Sequence, residues 1–138
     1  RLTLDKVDIY TNLAEAKWIK KVIEKIDLYS QEGDAILALP LNPIFYFLSG
    51  RVNPTPYEWI LPGMLEVEKE KELVAILNNN PPKLVIYVDI AIDGKEERRL
   101  LHYAPHLYKF LLDRYGFQEK VGFFKILLPK NSPSPLDF

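Results

Sequence analysis

The residues best suited to chemistry lie in one proline- and glycine-rich stretch of this 138-residue sequence, residues 42–63. It reads NPIFYFLSGRVNPTPYEWILPG and is called the 42–63 segment below. A guanidinium makes a two-pronged contact with phosphate, and aromatic rings beside it add a stacking surface suited to a sugar. Since proline restricts the backbone, such a loop can hold these groups in place at low entropic cost. The candidate ligand-binding or loop-ordering residues are Asn42, Tyr46, Arg51, Asn53, Thr55, Tyr57 and Trp59.

Arg51 is the residue on which a binding role of this segment depends. We expect Gly50 to adopt a positive φ that ends a short helix, so that Arg51 leaves beside the C-terminal end of a strand at 35–39. That edge of an α/β sheet usually binds ligands, and Tyr57 and Trp59 would close over the guanidinium there. The alternative is a loop that covers the sheet edge, with Arg51 bound to a carboxylate or to backbone carbonyls. The sequence leaves both open.

A second, weaker group of candidates follows the most strand-like run. Asp89 and Asp93 flank the C-terminal end of that run, where two carboxylates can act in acid–base chemistry or hold a divalent cation. We favour the simpler interpretation, in which Asp93 forms a turn with Gly94 and Asp89 caps the loop. His102 and His106 have the spacing of metal ligands on one helical face, but Pro105 prevents a continuous helix between them. We predict no metal site, no cofactor and no catalytic residue.

Several classes of protein are disfavoured by composition and by missing motifs. There is no phosphate-binding glycine loop, no GxSxG elbow and no cysteine. The 18 basic and 19 acidic residues give a net charge of −1, which argues against a nucleic-acid partner. No apolar run reaches the 18 residues or more typical of a membrane-spanning helix.

Hydrophobic periodicity predicts the elements that position these residues. A helix follows Asn12, and its inward face carries Trp18, Ile19, Val22, Ile23 and Ile26. A buried strand at 35–39 precedes a short helix at 43–50, for which Asn42 is the predicted cap. A helix at 66–78 presents Val67, Leu73, Val74 and Leu77 to the core, and its charged run EVEKEKE is predicted to be solvated. A strand at 84–90, a loop at 91–102, a helix from Pro105 that Gly116 closes, and a hairpin turning near Gly122 complete the order.

This order predicts an α/β fold, namely a layered sandwich in which helices flank a mixed, partly parallel sheet of about four strands. We predict a linker or edge strand at 1–10, a single domain at 11–129 and a flexible tail at 130–138.

The 42–63 segment also resembles a pattern found in one family. Residues 46–51 (YFLSGR), followed by Pro54-Thr55-x-Tyr57 and Pro62-Gly63, resemble the C-terminal soluble domains of multi-pass membrane glycosyltransferases. These are polyprenol-linked, C-type fold enzymes related to dolichyl-phosphate-mannose-protein mannosyltransferases. The resemblance extends over about residues 14–128. Pro56 departs from it, since the family pattern often has arginine there, and this weakens the case for a charged ligand.

The resemblance implies a non-catalytic domain on the extracytoplasmic side of the cell membrane. In that family the catalytic acidic residues lie in a membrane-domain loop, and no part of this chain matches that loop. The implied partners are the membrane domain of the same polypeptide and a lipid-linked sugar or acceptor. Acceptor recognition and covering of the membrane active site are the two roles that it allows.

Two alternatives of other classes stay open. The balanced charge and the self-sufficient core suit a stand-alone ligand-binding or interaction domain. A small α/β enzyme that uses Asp89 and Asp93 is the weaker alternative.

Overall fold

The computed structural model describes residues 13–40 and 43–130. The helices are α1 (Leu13–Tyr29), α2 (Ile44–Ser49), α3 (Val67–Asn79), α4 (Leu100–Tyr103) and α5 (Pro105–Arg114). The strands are β1 (Leu37–Leu39), β2 (Val85–Tyr87), β3 (Tyr115–Val121) and β4 (Phe124–Pro129). Two 3-10 turns, Ile92–Gly94 and Glu96–Arg98, lie between β2 and α4. The predicted linker at 1–10, the caps Asn12 and Asn42, and residues 131–138 of the predicted tail lie outside the described residues. Lys130, the first residue of that predicted tail, donates its backbone N–H to the carbonyl of Arg114.

The four strands form one mixed sheet, which confirms the predicted α/β fold class. Their order is β1-β2-β4-β3, with β1 parallel to β2 and the other two pairs antiparallel. In sequence, α1 precedes β1, α2 and α3 lie between β1 and β2, and α4 and α5 lie between β2 and β3. Helices can therefore pack on both faces of the sheet. The hairpin of β3 and β4 turns at Gly122, as its sequence predicted.

Each face of the sheet carries its own apolar core. We call face A the side that presents Leu39 and Tyr87, against which α3 and α5 pack. Face B presents Ala38 and Ile86, against which α1 and α2 pack. Strand residues alternate between the two faces because successive side chains of a strand point in opposite directions.

The first helix lies on face B, as its periodicity predicts. Val22 and Ile26 are fully buried, and Trp18 packs against the same cluster. Its ring meets the Phe123 ring edge-to-face, with ring centroids 5.1 Å apart. Trp18 also lies directly over Gly122, where a Cβ would stand only 2.2 Å from Cδ2 of the indole. The turn therefore needs glycine both for this contact and for its φ of 60°.

The charged run 66–72 is not uniformly solvated, which corrects the prediction. Glu70 is only 3% exposed, and its Oε2 accepts the backbone N–H of Leu107 at 2.9 Å. Leu107 lies in the first turn of α5, where backbone N–H groups lack intrahelical acceptors. Glu70 shares a helical face with Leu73 and Leu77, so the spacing that buries them also buries this acid. A carboxylate from α3 thus caps α5 and meets the positive end of its dipole.

Four further expectations differ from the structure. Gly116 does not close α5, because Tyr115 is already extended and both residues belong to β3. Val67 is 55% exposed, since it begins α3 one turn before the buried face starts. The regular parts of β1 and β2 are three residues each, shorter than the apolar runs that contain them. The predicted loop at 91–102 contains the two 3-10 turns and the start of α4.

Candidate functional site

Within the 42–63 segment, residues 46–60 lie along the outer edge of β1. At the start of the strand, Val52 forms a parallel bridge with Ala35: its N–H donates to Asp34, and its carbonyl accepts from Ile36 at 3.0 Å. Past the end of the strand, the N–H of Ile60 donates to the carbonyl of Pro40 at 2.7 Å. The segment therefore covers an edge that would otherwise offer unpaired backbone groups to another chain.

Tyr46 fills the middle of the same edge. Its hydroxyl accepts the backbone N–H of Ala38 at 2.8 Å, and Ala38 is the central residue of β1. Burial raises the pKa of Tyr46 to about 12, so the phenol stays protonated at neutral pH. The hydroxyl thus accepts a backbone hydrogen bond of β1 that a carbonyl of a neighbouring strand would otherwise accept.

Asn53 and Thr55 order the bend of the segment through local hydrogen bonds. Oδ1 of Asn53 accepts the Thr55 N–H at 2.9 Å, and Oγ1 of Thr55 accepts the Tyr57 N–H at 3.1 Å. The Asn53 carboxamide also donates to the carbonyl of Tyr57. These side chains imitate backbone turns, as asparagine and threonine commonly do in loops. Their polar atoms are thereby committed to the loop itself.

Arg51 lies at the other end of β1 from the one predicted. Gly50 has the expected positive φ of 70°, but the chain then pairs with Ala35, so Arg51 is beside the start of the strand. Its Nε donates to Oγ of Ser30 at 3.0 Å, and its two terminal nitrogens donate to the carbonyls of Ser49 and Ser30 at 2.8 and 2.9 Å. Asp27 adds an ion pair at 3.3 Å.

These contacts make the guanidinium a connector between the end of α1 and the end of α2. The Arg51 side chain is only 8% exposed, whereas its partner Asp27 is 60% exposed. Two of the three hydrogen bonds of the Arg51 side chain go to backbone carbonyls. This agrees with the alternative that the sequence left open, in which Arg51 is bound to backbone carbonyls. Whether Arg51 also contacts a ligand stays a prediction.

The two aromatic residues do not gather over this guanidinium as expected. Tyr57 packs against the face A cluster, whereas Arg51 lies against the end of α1. Trp59 is 44% exposed and precedes Ile60, which binds beyond the C-terminal end of β1. Arg51 lies near the start of β1 and Trp59 lies near its end. The length of the strand therefore keeps Trp59 away from the guanidinium.

The second candidate group, beyond β2, is an exposed network of ion pairs. Arg99 makes a two-pronged contact with Asp89, with nitrogen–oxygen distances of 3.0 and 2.7 Å. It also binds Glu96 at 2.7 Å, and Nε2 of His102 lies 3.0 Å from the same Glu96 oxygen. The hydrogen bonds from Arg99 hold the pKa of Asp89 below its ordinary value. Both oxygens of Asp89 are thus engaged by a cation, which is a structural role.

Asp93 belongs to a turn, as the simpler interpretation predicted. Its φ is 59°, the N–H of Gly94 donates to the carbonyl of Ala91, and its carboxylate lies 3.4 Å from Arg98. The histidines at 102 and 106 fall on separate helices, α4 and α5. Across residues 13–40 and 43–130, no group of three or more potential metal ligands is found.

A groove on face A was missed by the sequence analysis. It has a volume of about 420 Å³ and lies between α5 and the β2-β4-β3 part of the sheet. We call it the face A groove; its lining includes Tyr87, Tyr108, Leu112, Phe117, Lys120, Lys125 and Leu127. The residues that form it stand in the hairpin sequence, where apolar Phe117 and Leu127 occur near Lys120 and Lys125. These side chains share one face only because of the register between β3 and β4, which cannot be read from the local sequence.

Comparisons with known proteins add no relative to this geometry. No helix in the described part of the chain has the length and apolar character that crossing a membrane requires. Searches with this chain found no matching family model, no matching curated protein and no matching solved structure.

Proposed function

We propose that this chain is a non-catalytic domain of a membrane glycosyltransferase that uses a lipid-phosphate-linked sugar. In this proposal it lies on the extracytoplasmic side of the membrane and assists acceptor recognition or covers the membrane active site. The observation that carries the proposal is the ordered pattern of residues 46–51, Pro54-Thr55-x-Tyr57 and Pro62-Gly63 within an α/β domain.

The contacts of the 42–63 segment support a scaffolding role for that pattern. Tyr46 binds the backbone of β1, Arg51 binds two backbone carbonyls, and Asn53 and Thr55 bind the loop itself. In this proposal the pattern preserves the shape of the domain and takes no part in the chemical step. The chemistry would then reside in another part of the polypeptide.

The simplest test of this proposal is the sequence of the complete reading frame. We expect eight or more apolar segments upstream of this domain, with an acidic pair in the first loop outside the membrane. A free-standing frame of about 138 residues would contradict the proposal.

Glycosyl transfer by the full-length protein tests whether the catalytic residues lie outside this domain. Asp89→Asn with Asp93→Asn should leave the transfer rate within about twofold of wild type, because neither carboxylate is proposed to act in chemistry. A fall of two or more orders of magnitude with an unchanged melting temperature would indicate a catalytic centre in this domain.

A second candidate function is a stand-alone ligand-binding domain, which the face A groove favours. Its volume lies within the range of roughly 300–1,000 Å³ that is usual for ligand sites. The reading frame separates the two candidates, since a stand-alone domain needs no membrane segments.

A further inference from the structure

We propose that the face A groove binds a single-chain amphiphile with an anionic head group. The inference rests on the geometry of the groove alone and does not require the function proposed above. The head group would lie between Lys120 and Lys125, and the apolar chain would lie along Phe117, Leu112 and Leu127.

The two lysines are held directly opposite one another. Lys120 pairs with Lys125 across β3 and β4, and Lys125 pairs with Tyr87 across β4 and β2. Cross-strand partners share a face, and like charges in such a pair are destabilising. An anion bound between the two ammonium groups would replace that repulsion with two attractions.

No protein carboxylate lies within ion-pair distance of either lysine in the described residues. Neither lysine forms an ion pair there, although Lys125 is near enough to Asp89 to help lower the pKa of that carboxyl. Asp89 itself is bound at both oxygens by Arg99. The nearest anion is therefore already committed, and the positive charge on face A is free to attract another.

The surface beside the lysines is apolar and uncovered. Phe117 is 63% exposed and Leu112 is 55% exposed, and both line the groove. Lone exposed apolar residues are ordinary, but here two of them adjoin a cavity of about 420 Å³ with tyrosine and leucine walls. An alkyl chain would remove this surface from water.

Tyr87 lines the groove. The residue is only 6% exposed, and its hydroxyl has no hydrogen-bond partner among the described residues. A buried hydroxyl without a partner is uncommon and costly. Tyr87 lies in the same row of the sheet as the two lysines and lines the same groove, so its hydroxyl is a candidate donor to the bound ligand.

The test is a titration of the ¹⁵N-labelled chain with dodecyl phosphate below its micelle concentration, followed by amide chemical shifts. We expect saturable shifts centred on Lys120, Lys125 and Tyr87. Dodecanoate should bind at the same residues, because the shared requirement is an anion on an alkyl chain. Inorganic phosphate and the neutral amphiphile decyl maltoside should each bind at least about tenfold more weakly, since each lacks one of the two parts.

Three variants locate the site. Lys120→Gln and Phe117→Ser, both at exposed positions, should each weaken dodecyl phosphate binding about tenfold. Lys21→Gln is the matched control, because Lys21 is an exposed lysine on α1, on the other side of the sheet. Without ligand, Lys120→Gln should raise the melting temperature by about 1–4 °C through relief of the lysine pair.

Three results would overturn the proposal. One is equal binding of decyl maltoside and dodecyl phosphate, which would mean nonspecific detergent contact. Another is an affinity of Lys120→Gln that is no weaker than that of the control Lys21→Gln. The third is a set of groove shifts that depend on protein concentration alone, which would identify the groove as an interface between copies of the chain.

Discussion

Replacing Arg51 should destabilise the fold, because its donors are committed to the backbone ends of two helices. Arg51→Ala removes three hydrogen bonds from a charged donor and leaves the carbonyls of Ser30 and Ser49 without it. Hydrogen bonds to charged groups contribute roughly 1.5–3 kcal/mol each, and water will re-solvate part of what is lost here. We expect a loss of about 3 kcal/mol for Arg51→Ala. Arg51→Lys keeps the charge but not the fork, so we expect about 1.5 kcal/mol.

The matched control is Asp27→Asn. It removes only the ion pair from a carboxylate that is 60% exposed, so the free energy of unfolding should change by less than about 0.5 kcal/mol. For a chain of this length, about 1 kcal/mol shifts the melting temperature by roughly 4 °C. The expected decreases are therefore about 12 °C for Arg51→Ala, about 6 °C for Arg51→Lys and under about 2 °C for Asp27→Asn.

Calorimetry and urea unfolding of the 138-residue chain measure these differences, and the urea m-value should not change. If Arg51→Ala melts within about 2 °C of wild type, the ordering role assigned to the guanidinium is wrong. Transfer lost by full-length Arg51→Lys with no change in melting would instead favour direct contact with a ligand.

Three further perturbations probe the fold. Glu70→Ala should lower the free energy of unfolding by about 2–3 kcal/mol, because the buried N–H at the start of α5 loses its acceptor; an unchanged urea midpoint would contradict this. Gly122→Ala should cost at least about 1 kcal/mol, because its Cβ would overlap Trp18 at a positive φ; unaltered tryptophan fluorescence and stability would argue against that contact. Arg99 holds the pKa of Asp89 below the ordinary 3.8, so the folded state binds this proton more weakly than the unfolded state. The resulting stability is fully present above that ordinary value and is lost as pH falls through the lower folded pKa; urea midpoints at acid pH should show this slope in wild type and a smaller slope in Asp89→Asn.

The sequence predicts the elements better than the contacts between them. Helix α1 and the strands are signalled by periodicities over a few residues, and these are local. The turns at Gly50 and Gly122 could be predicted because glycine, unlike other residues, readily adopts the positive φ that they require. These features need no knowledge of the rest of the chain.

Arg51 shows where such reasoning ends. Its position beside the start of β1 is set by the parallel bridge between Ala35 and Val52, which joins residues 17 positions apart. Nothing in the local pattern states at which end of the strand the loop begins. Glu70 is a similar case, because its acceptor role depends on α5, whose partner N–H is 37 residues away.

The face A groove depends on an irregularity of register. Phe117 pairs with Leu127 and Glu119 pairs with Ile126, so one extra residue, Gln118, interrupts the ladder. That bulge places Phe117 on face A although Glu119 contacts α1 on face B. A simple alternation would have put both side chains on one face, which is why the sequence did not reveal the groove.

The size and cellular fraction of the native polypeptide test most directly whether this chain is part of a membrane glycosyltransferase. An antibody raised against the chain would be used on fractionated cells that express the endogenous protein. We expect one band well above 16.1 kDa that stays in the membrane pellet after alkaline carbonate extraction. A band near 16.1 kDa in the supernatant would rule out a membrane glycosyltransferase and favour the stand-alone binding domain.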